Sequence, residues 1–141
     1  MARPGYDQTE PGTELPPRQY QLTRRDLVRY AGASGDFNVI HWNERIARSV
    51  GLPDVIAHGM LTMALAGRFL AEWAGDPGAV TEFGVRFSAP VVVPDDEKGA
   101  TVEIDGRVTE RLDRHRVAID VTARSDGTKV LTRARAVVRL P

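Results

Sequence analysis

Two short segments, Asp36 to His41 and His58-Gly59, carry the residue types that act on water or on an acidic C–H bond. Asp36 and His41 lie five positions apart, and Gly35 precedes them in a polar stretch typical of a loop that folds back on itself. A carboxylate and an imidazole that share one water molecule can activate it, or can divide a proton transfer at a substrate carbon between them. The simpler alternative is that Asp36 caps a turn and His41 packs as a hydrogen-bonded histidine.

The second segment opens an apolar run and is predicted to begin a helix. The first N–H groups of a helix have no partner within it, and the helix dipole favours negative charge there. Gly59 would let a ligand oxygen approach these donors closely, although a glycine at a helix start also needs no functional reason. Thr62, one turn later, either donates a hydrogen bond into the same site or bonds back within its own helix.

The remaining polar residues give weaker indications. The three histidines, His41, His58 and His115, form no recognised set of metal ligands with Asp36, so we expect no metal. His115 is predicted to lie at a hairpin tip. Basic residues of the tip and of the strands could meet the phosphates of a carrier group, although a solvated face is the simpler interpretation; they are Arg111, Arg114, Arg116, Arg86, Arg133, Arg135 and Arg139.

The composition excludes several classes of protein. The chain has 141 residues, 42% of them hydrophobic, and its 19 Lys+Arg balance its 19 Asp+Glu. That balance argues against a nucleic-acid-binding surface, and the absence of cysteine excludes disulfides and a thiol nucleophile. The N-terminus lacks a signal peptide, and the longest apolar run is too short to span a membrane. We therefore expect a soluble cytoplasmic protein.

The elements that must position these residues are helices first and strands second. Residues 1–14 are predicted to be a flexible leader and residues 15–141 a single domain. Leu15 to Leu22 could form a strand, which Pro16-Pro17 would confine to a sheet edge or to a bent entry. Thr23 and Asp26 predict a capped helix start, and Asn43 predicts a second one. Gly59 to Trp73 is predicted to be a long helix that is buried on most sides, with Arg68 and Glu72 on its one exposed stripe.

After the long helix the hydrophobic pattern changes to a period of two. Four segments alternate apolar and polar residues, which predicts antiparallel strands with one exposed face, and Ser125 to Thr128 predicts a hairpin turn. The segments are 83–88, 101–108, 117–124 and 133–140. The chain is therefore predicted to be α+β, with the long helix packed on a curved antiparallel sheet whose edges invite pairing.

Three blocks of sequence resemble the MaoC-like, or hydratase 2, family. They are Tyr30 to His41, Ile56 to Leu61 and Val85 to Val91, so the resemblance extends over nearly the whole chain. Within the family, residues 40–42 and 51–63 are most similar to the B subunit of the mycobacterial-type (3R)-hydroxyacyl-ACP dehydratases. One position departs from the pattern, since Val39 stands where the family usually has proline.

The resemblance implies a hot-dog fold, in which the sheet wraps around the long helix and pairs edge to edge with a second subunit. It implies reversible dehydration of a (3R)-3-hydroxyacyl thioester to the trans-2-enoyl thioester. Asp36 and His41 match the catalytic pair, Asn38 a supporting loop position, and Gly59 the oxyanion-hole N–H; we group His58 and Thr62 with the substrate-binding residues.

The same resemblance implies the partners and leaves two alternatives open. No cofactor is expected; the substrate would be carried by acyl carrier protein or by CoA, and the chain would pair with itself or with a related hot-dog subunit. The alternatives are a non-catalytic acyl-binding subunit of a heteromeric dehydratase and a hot-dog acyl thioesterase.

Overall fold

The sheet of the computed structural model, which describes residues 2–141, has five antiparallel strands in the order β1-β3-β4-β5-β2. The strands are β1 (Glu14–Leu22), β2 (Val80–Phe87), β3 (Ala100–Leu112), β4 (Arg116–Ser125) and β5 (Thr128–Arg139). The period-two pattern determines which face is buried, since Val117, Ile119 and Ala123 are fully buried and the intervening Asp120 is exposed. The predicted hairpin turn between the last two strands is confirmed.

Three α-helices precede or interrupt the strands: α1 (Arg24–Ser34), α2 (Glu44–Ser49) and α3 (Gly59–Ala74). The predicted starts are confirmed by their caps. The Thr23 N–H donates to the Asp26 carboxylate at 2.8 Å, and the Asn43 side chain accepts from the Ile46 N–H at 3.0 Å. Three short 3₁₀ turns, Tyr6–Gln8, Val39–His41 and Pro77–Ala79, complete the helical segments.

Helix α3 lies against the sheet and shares its core. Phe69 and Leu70 are buried with strand residues such as Ile104 and Ile119. A Cβ at Gly106 of β3 would lie 3.2 Å from Phe69 Cε1, so the glycine allows the helix to approach this strand closely.

The prediction that α3 is buried on most sides is wrong for its first turn. Met60 is 56% exposed, and with Ala64, Arg68 and Glu72 it forms an exposed stripe at four-residue spacing. The Arg68–Glu72 part of that stripe is as predicted, since the two side chains form an ion pair of 2.7 Å.

Residues 6–13, which the sequence predicts to be part of a flexible leader, make defined contacts in this structure. The Tyr6 hydroxyl donates to the Leu112 carbonyl at 2.7 Å, and the Tyr6 ring stacks on His115 at 4.9 Å. The Gly12 N–H donates to the Val108 carbonyl at 2.7 Å.

His115 lies in the β3–β4 turn, as predicted. Among residues 2–141, no helix combines the length and the apolar character that crossing a bilayer requires.

Candidate active site

The loop from Gly35 to His41 is shaped by hydrogen bonds to its own side chains. Gly35 ends α1 in the left-handed region, with φ of 76°. Next, Asp36 Oδ1 accepts from the Asn38 N–H at 3.1 Å, and Asn38 Oδ1 accepts from the Ile40 N–H at 3.3 Å. These two turns lead into the 3₁₀ turn that carries His41 into the protein, where it is only 7% exposed.

The protonation of His41 is set by a backbone carbonyl. Its Nδ1 lies 2.7 Å from the Ile56 carbonyl oxygen, which can only accept, so Nδ1 carries the proton. The neutral ring therefore presents the lone pair of Nε2 to the site. Burial lowers the pKa of His41 and the neighbouring His58 lowers it further, whereas the bond to Ile56 and the Asp36 charge act in the opposite direction.

His58 lies directly behind His41. The two rings stack with their centroids 3.8 Å apart, and His58 Nε2 donates to the backbone carbonyl of Asp36 at 3.0 Å. One side-chain oxygen of Asp36 and one ring nitrogen of each histidine all lie within 4.8 Å of one another. The sequence analysis grouped His58 with the substrate-binding residues, and nothing in its position along the chain indicates the stacking on His41.

This cluster has the residue types of a metal site, but its donors are partly used. Each imidazole already directs one nitrogen to a backbone carbonyl, which leaves at most two ring nitrogens and the Asp36 carboxylate. A closed structural zinc site takes four ligands. The absence of a metal therefore stays a prediction.

The start of α3 completes the arrangement. The Leu61 and Thr62 N–H groups both donate to the His58 carbonyl, whereas the Gly59 N–H donates to no group among residues 2–141. The segment before it is held by a short antiparallel ladder, in which the Ala57 N–H donates to Val91 at 2.8 Å. The Gly59 donor is thus fixed in place and free to bind a ligand oxygen.

A cavity of about 400 Å³ lies in front of these groups. His41, Gly59 and Thr62 line it, and the Thr62 hydroxyl makes no hydrogen bond within the described chain. The other lining residues are Ile56, Ala57, Phe87, Ser88, Ala89, Pro90, Val91 and Val130. An apolar pocket with a few polar groups at one end is typical of a small-molecule site.

The comparison with known families now decides the assignment. The MaoC-like domain family matches residues 7–126. The chain belongs to the MaoC-like family.

Two curated relatives illustrate its place in the family. It is 41% identical over 88 residues to 3-hydroxyacyl-thioester dehydratase X of Mycobacterium tuberculosis, a match that covers 62% of the chain and 30% of the relative. It is 31% identical over 122 residues to 3-hydroxybutyryl-CoA dehydratase of Methylorubrum extorquens, covering 86% of the chain and 74% of the relative.

Solved structures of MaoC-like proteins share the fold, and with them the predicted hot-dog architecture is confirmed. A MaoC-like dehydratase superposes with a TM-score of 0.94 at 46% identity, over 99% of this chain and 43% of that one. An (R)-hydratase of Pseudomonas aeruginosa gives a TM-score of 0.84 at 27% identity, over 97% and 85% of the two chains. The chain therefore spans less than half the length of the mycobacterial relative and of the first of these structures.

The structure brings some of the site residues predicted for this MaoC-like chain to the cavity and leaves others outside it. Asp36 lies beside His41 but is exposed and does not line the cavity, whereas His41, Gly59 and Thr62 line it together. Asn38 is exposed and supports the loop through its cap, outside the cavity lining. The arginines of the strands do not line the cavity, so a solvated face stays the simpler interpretation of them and contact with carrier phosphates the alternative.

Sequence reasoning missed the apolar wall of the cavity. Phe87 packs on Gly59 so closely that a Cβ on the glycine would lie 3.1 Å from the Phe87 ring. Phe87 and Val91 both fall inside the third block of family resemblance, 85–91, so that block could have indicated that they belong to the site. Val130, on β5, had none, because only the tertiary fold brings it to the cavity.

Proposed function

We propose that this MaoC-like chain is a hydro-lyase that interconverts a (3R)-3-hydroxyacyl thioester and the trans-2-enoyl thioester. The observation that carries the proposal is the meeting of the Asp36 carboxylate with the His41 imidazole, whose Nδ1–H is bonded to a backbone carbonyl, beside an apolar cavity and a free helix N-terminus. The relatives named as dehydratases and hydratases support the same reaction class.

The proposed mechanism uses the two ends of the site together. The thioester oxygen accepts a hydrogen bond from the Gly59 N–H, which stabilises the enolate-like charge that develops when the C2–H bond breaks. In the direction of hydration, a water molecule between Asp36 and His41 gives its hydroxyl to C3, and its proton passes through the pair to C2. Dehydration is the reverse, so the pair ends each cycle in its starting protonation state.

The environments of the two residues suggest how they divide the work. His41 is buried with a lowered pKa, so its neutral form persists at physiological pH and Nε2 can accept a proton. Asp36 is exposed and remains close enough to orient the water and to stabilise the imidazolium that forms. We therefore propose His41 as the proton acceptor and Asp36 as its electrostatic partner.

The same proposal covers the substrate carrier and the partner. An acyl group on acyl carrier protein or on CoA would place its thioester at Gly59 and its chain in the apolar cavity, and no cofactor is required. We propose that the chain works in the cytoplasm, paired through a sheet edge with a second copy or with a related hot-dog subunit.

The test is hydration of a trans-2-enoyl thioester, followed as the loss of enoyl absorbance, with free thiol measured in the same samples. Asp36→Asn and His41→Ala are expected to lower kcat by at least about 10²-fold, the usual contribution of an acid–base group. His115→Ala is the matched control, because it removes a histidine that stacks on Tyr6, away from the cavity.

Three results would contradict the proposal. Release of free thiol without consumption of the enoyl group would favour the thioesterase. Full activity in both variants would exclude the Asp36–His41 pair. A folded chain that stays inactive even with a related hot-dog subunit present would favour the acyl-binding alternative.

A further inference from the structure

His58 is a buried imidazole that contacts both Asp36 and His41 and is absent from the cavity lining. It is 1% exposed, and its Nδ1 has no hydrogen-bond partner among residues 2–141. Its Nε2–H bonds to the Asp36 carbonyl, one face stacks on His41, and Tyr30 lies edge-on at 4.7 Å. The carbonyl of the same residue accepts the first hydrogen bonds of α3, and its peptide bond supplies the Gly59 N–H.

We propose that His58 is a positioning residue that holds the Asp36–His41 loop and the Gly59 N–H in one fixed arrangement, without touching the substrate. This rests on the proposed function and changes the role expected for His58, which the sequence analysis grouped with the substrate-binding residues. A side chain that is 1% exposed behind another ring has no surface to offer an acyl group.

The hydrogen bond to the Asp36 carbonyl holds the catalytic loop in place. Asp36 and Asn38 are both exposed, so the loop has little packing of its own to hold it in place. The bond from His58 joins the loop backbone to the residue that begins α3. An acid–base group misplaced by about 1 Å can cost 10²-fold in rate, so a single buried bond at this point has a kinetic consequence.

The tautomer of His58 is fixed by the same surroundings. Moving its proton to Nδ1 would break the bond to Asp36 and would leave a buried N–H without an acceptor among the described residues. The bond to the loop is therefore a constant feature of the neutral ring.

The stack on His41 is the second contact that His58 makes in the site. An imidazole 3.8 Å from His41 blocks rotation of that ring, and it opposes a positive charge there. Two other titratable groups face the His41 and His58 rings. The Asp36 carboxylate favours protonation of His41, and the Tyr30 ring packs edge-on against His58. Removing the His58 imidazole should thus raise the pH at which His41 titrates, and a variant that keeps a ring there separates this effect from a change in the burial of His41.

Three variants separate the two contributions. His58→Phe keeps a ring on His41 and removes the donor to Asp36. His58→Gln keeps a side-chain N–H and removes the ring. His58→Ala removes both. His115→Ala again serves as the control, and thermal unfolding of each variant shows whether it is folded.

The first readout is NMR of the ¹⁵N-labelled imidazoles in the substrate-free protein. We expect the Nδ1–H form of His41 and the Nε2–H form of His58 in the wild type. We expect the His41 titration to move to higher pH in all three His58 variants and to stay in place in the control. This readout does not require the enzyme to be active.

The second readout is the separation of kcat from KM in the hydration assay. We expect kcat to fall about 10- to 100-fold in His58→Phe and His58→Ala, with KM within about threefold of the wild type, and partial recovery in His58→Gln. If His58→Phe fails to fold, the His58→Gln and His58→Ala pair makes the same comparison.

Two results would overturn the proposal: a rise in KM at unchanged kcat, which would mean that His58 binds substrate, or variants whose kcat and His41 titration both match the wild type. A wild-type chain without hydratase activity, both alone and with a related hot-dog subunit, would instead reject the proposed function. In that case the NMR titration alone decides whether His58 governs His41.

Discussion

His41 shows how a single backbone carbonyl selects the chemistry of a side chain. The Ile56 oxygen takes the Nδ1 proton, so the other nitrogen, Nε2, is the one left for acid–base work. Ile56 is itself held in place because its N–H donates to the Ile40 carbonyl at 3.2 Å, next to His41 in the chain. The segments that carry His41 and Ile56 therefore hold each other in place through these two hydrogen bonds.

The pH dependence of the reaction should report the state of His41. Because burial lowers its pKa, the neutral form should persist below the ordinary value of about 6.5. We expect kcat/KM for hydration to hold constant on lowering the pH through neutrality and to fall only at pH values below about 6.5, as the folded protein takes up the proton.

The measurement is kcat/KM between about pH 5 and pH 8 under conditions where the protein stays folded. His115→Ala should leave the profile unchanged, since that histidine lies in the β3–β4 turn. An acidic limb centred above pH 6.5 would contradict the assignment of His41 as the buried proton acceptor.

For single residues, the sequence indicates which residues are candidates for the site better than it indicates which of them touch. Asp36, His41 and Gly59 are predicted as site residues because their types and spacing match both the chemistry and the family, and their roles stay predictions. The stacking of His58 on His41 could not be predicted, because the two residues are 17 positions apart and meet only when α3 packs behind the loop.

Among the elements, the features with local causes were the ones predicted correctly. The Asp26 and Asn43 caps are determined by residues within one turn of each other, so the sequence alone indicates them. Exposure was less predictable. Val28 has the spacing of a core residue in α1 and is nevertheless 62% exposed, because only Leu27 and Ala31 of that helix face the core.

Arg24 joins three elements that surround the site. Its Nε donates to the Val93 carbonyl at 2.6 Å, and its Nη2 donates to Asp54 at 2.8 Å. The two side chains are only 22% and 17% exposed, so this pair is screened less than a surface ion pair. Through Arg24 the start of α1 is fixed to the two paired segments, 54–57 and 91–93, that lead into the site.

We expect Arg24→Ala to lower the free energy of unfolding by about 1.5 to 3 kcal/mol, because it removes hydrogen bonds to a charged group and to a buried carbonyl. Arg25→Ala is the matched control: Arg25 is exposed on the same helix and forms no ion pair among residues 2–141, so its removal should change stability by less than about 0.5 kcal/mol. Urea unfolding of both variants makes the comparison, and equal midpoints would mean that Arg24 stabilises nothing.

At the scale of the whole molecule, the two edges of the sheet differ in their ability to pair. Both edge strands have register shifts, but only β1 contains prolines, Pro16-Pro17, which lack backbone donors. The prolines discourage pairing of β1 with another strand. Strand β2 has no proline within its eight residues, and it ends at Phe87, which is 51% exposed. The β2 edge is therefore the one suited to a second subunit.

We expect the isolated chain to form a dimer through β2 at high concentration. Hydrogen exchange at about 10 and about 200 μM should show added protection in β2 at the higher concentration and no change in β1, and light scattering should show the mass doubling over the same range. Because Phe87 packs on Gly59, closing this edge would also cover one wall of the cavity, which links assembly to the site. A chain that remains a monomer at the higher concentration, with β2 unprotected, would contradict self-pairing and would leave a related subunit as the partner to test by the same exchange measurement.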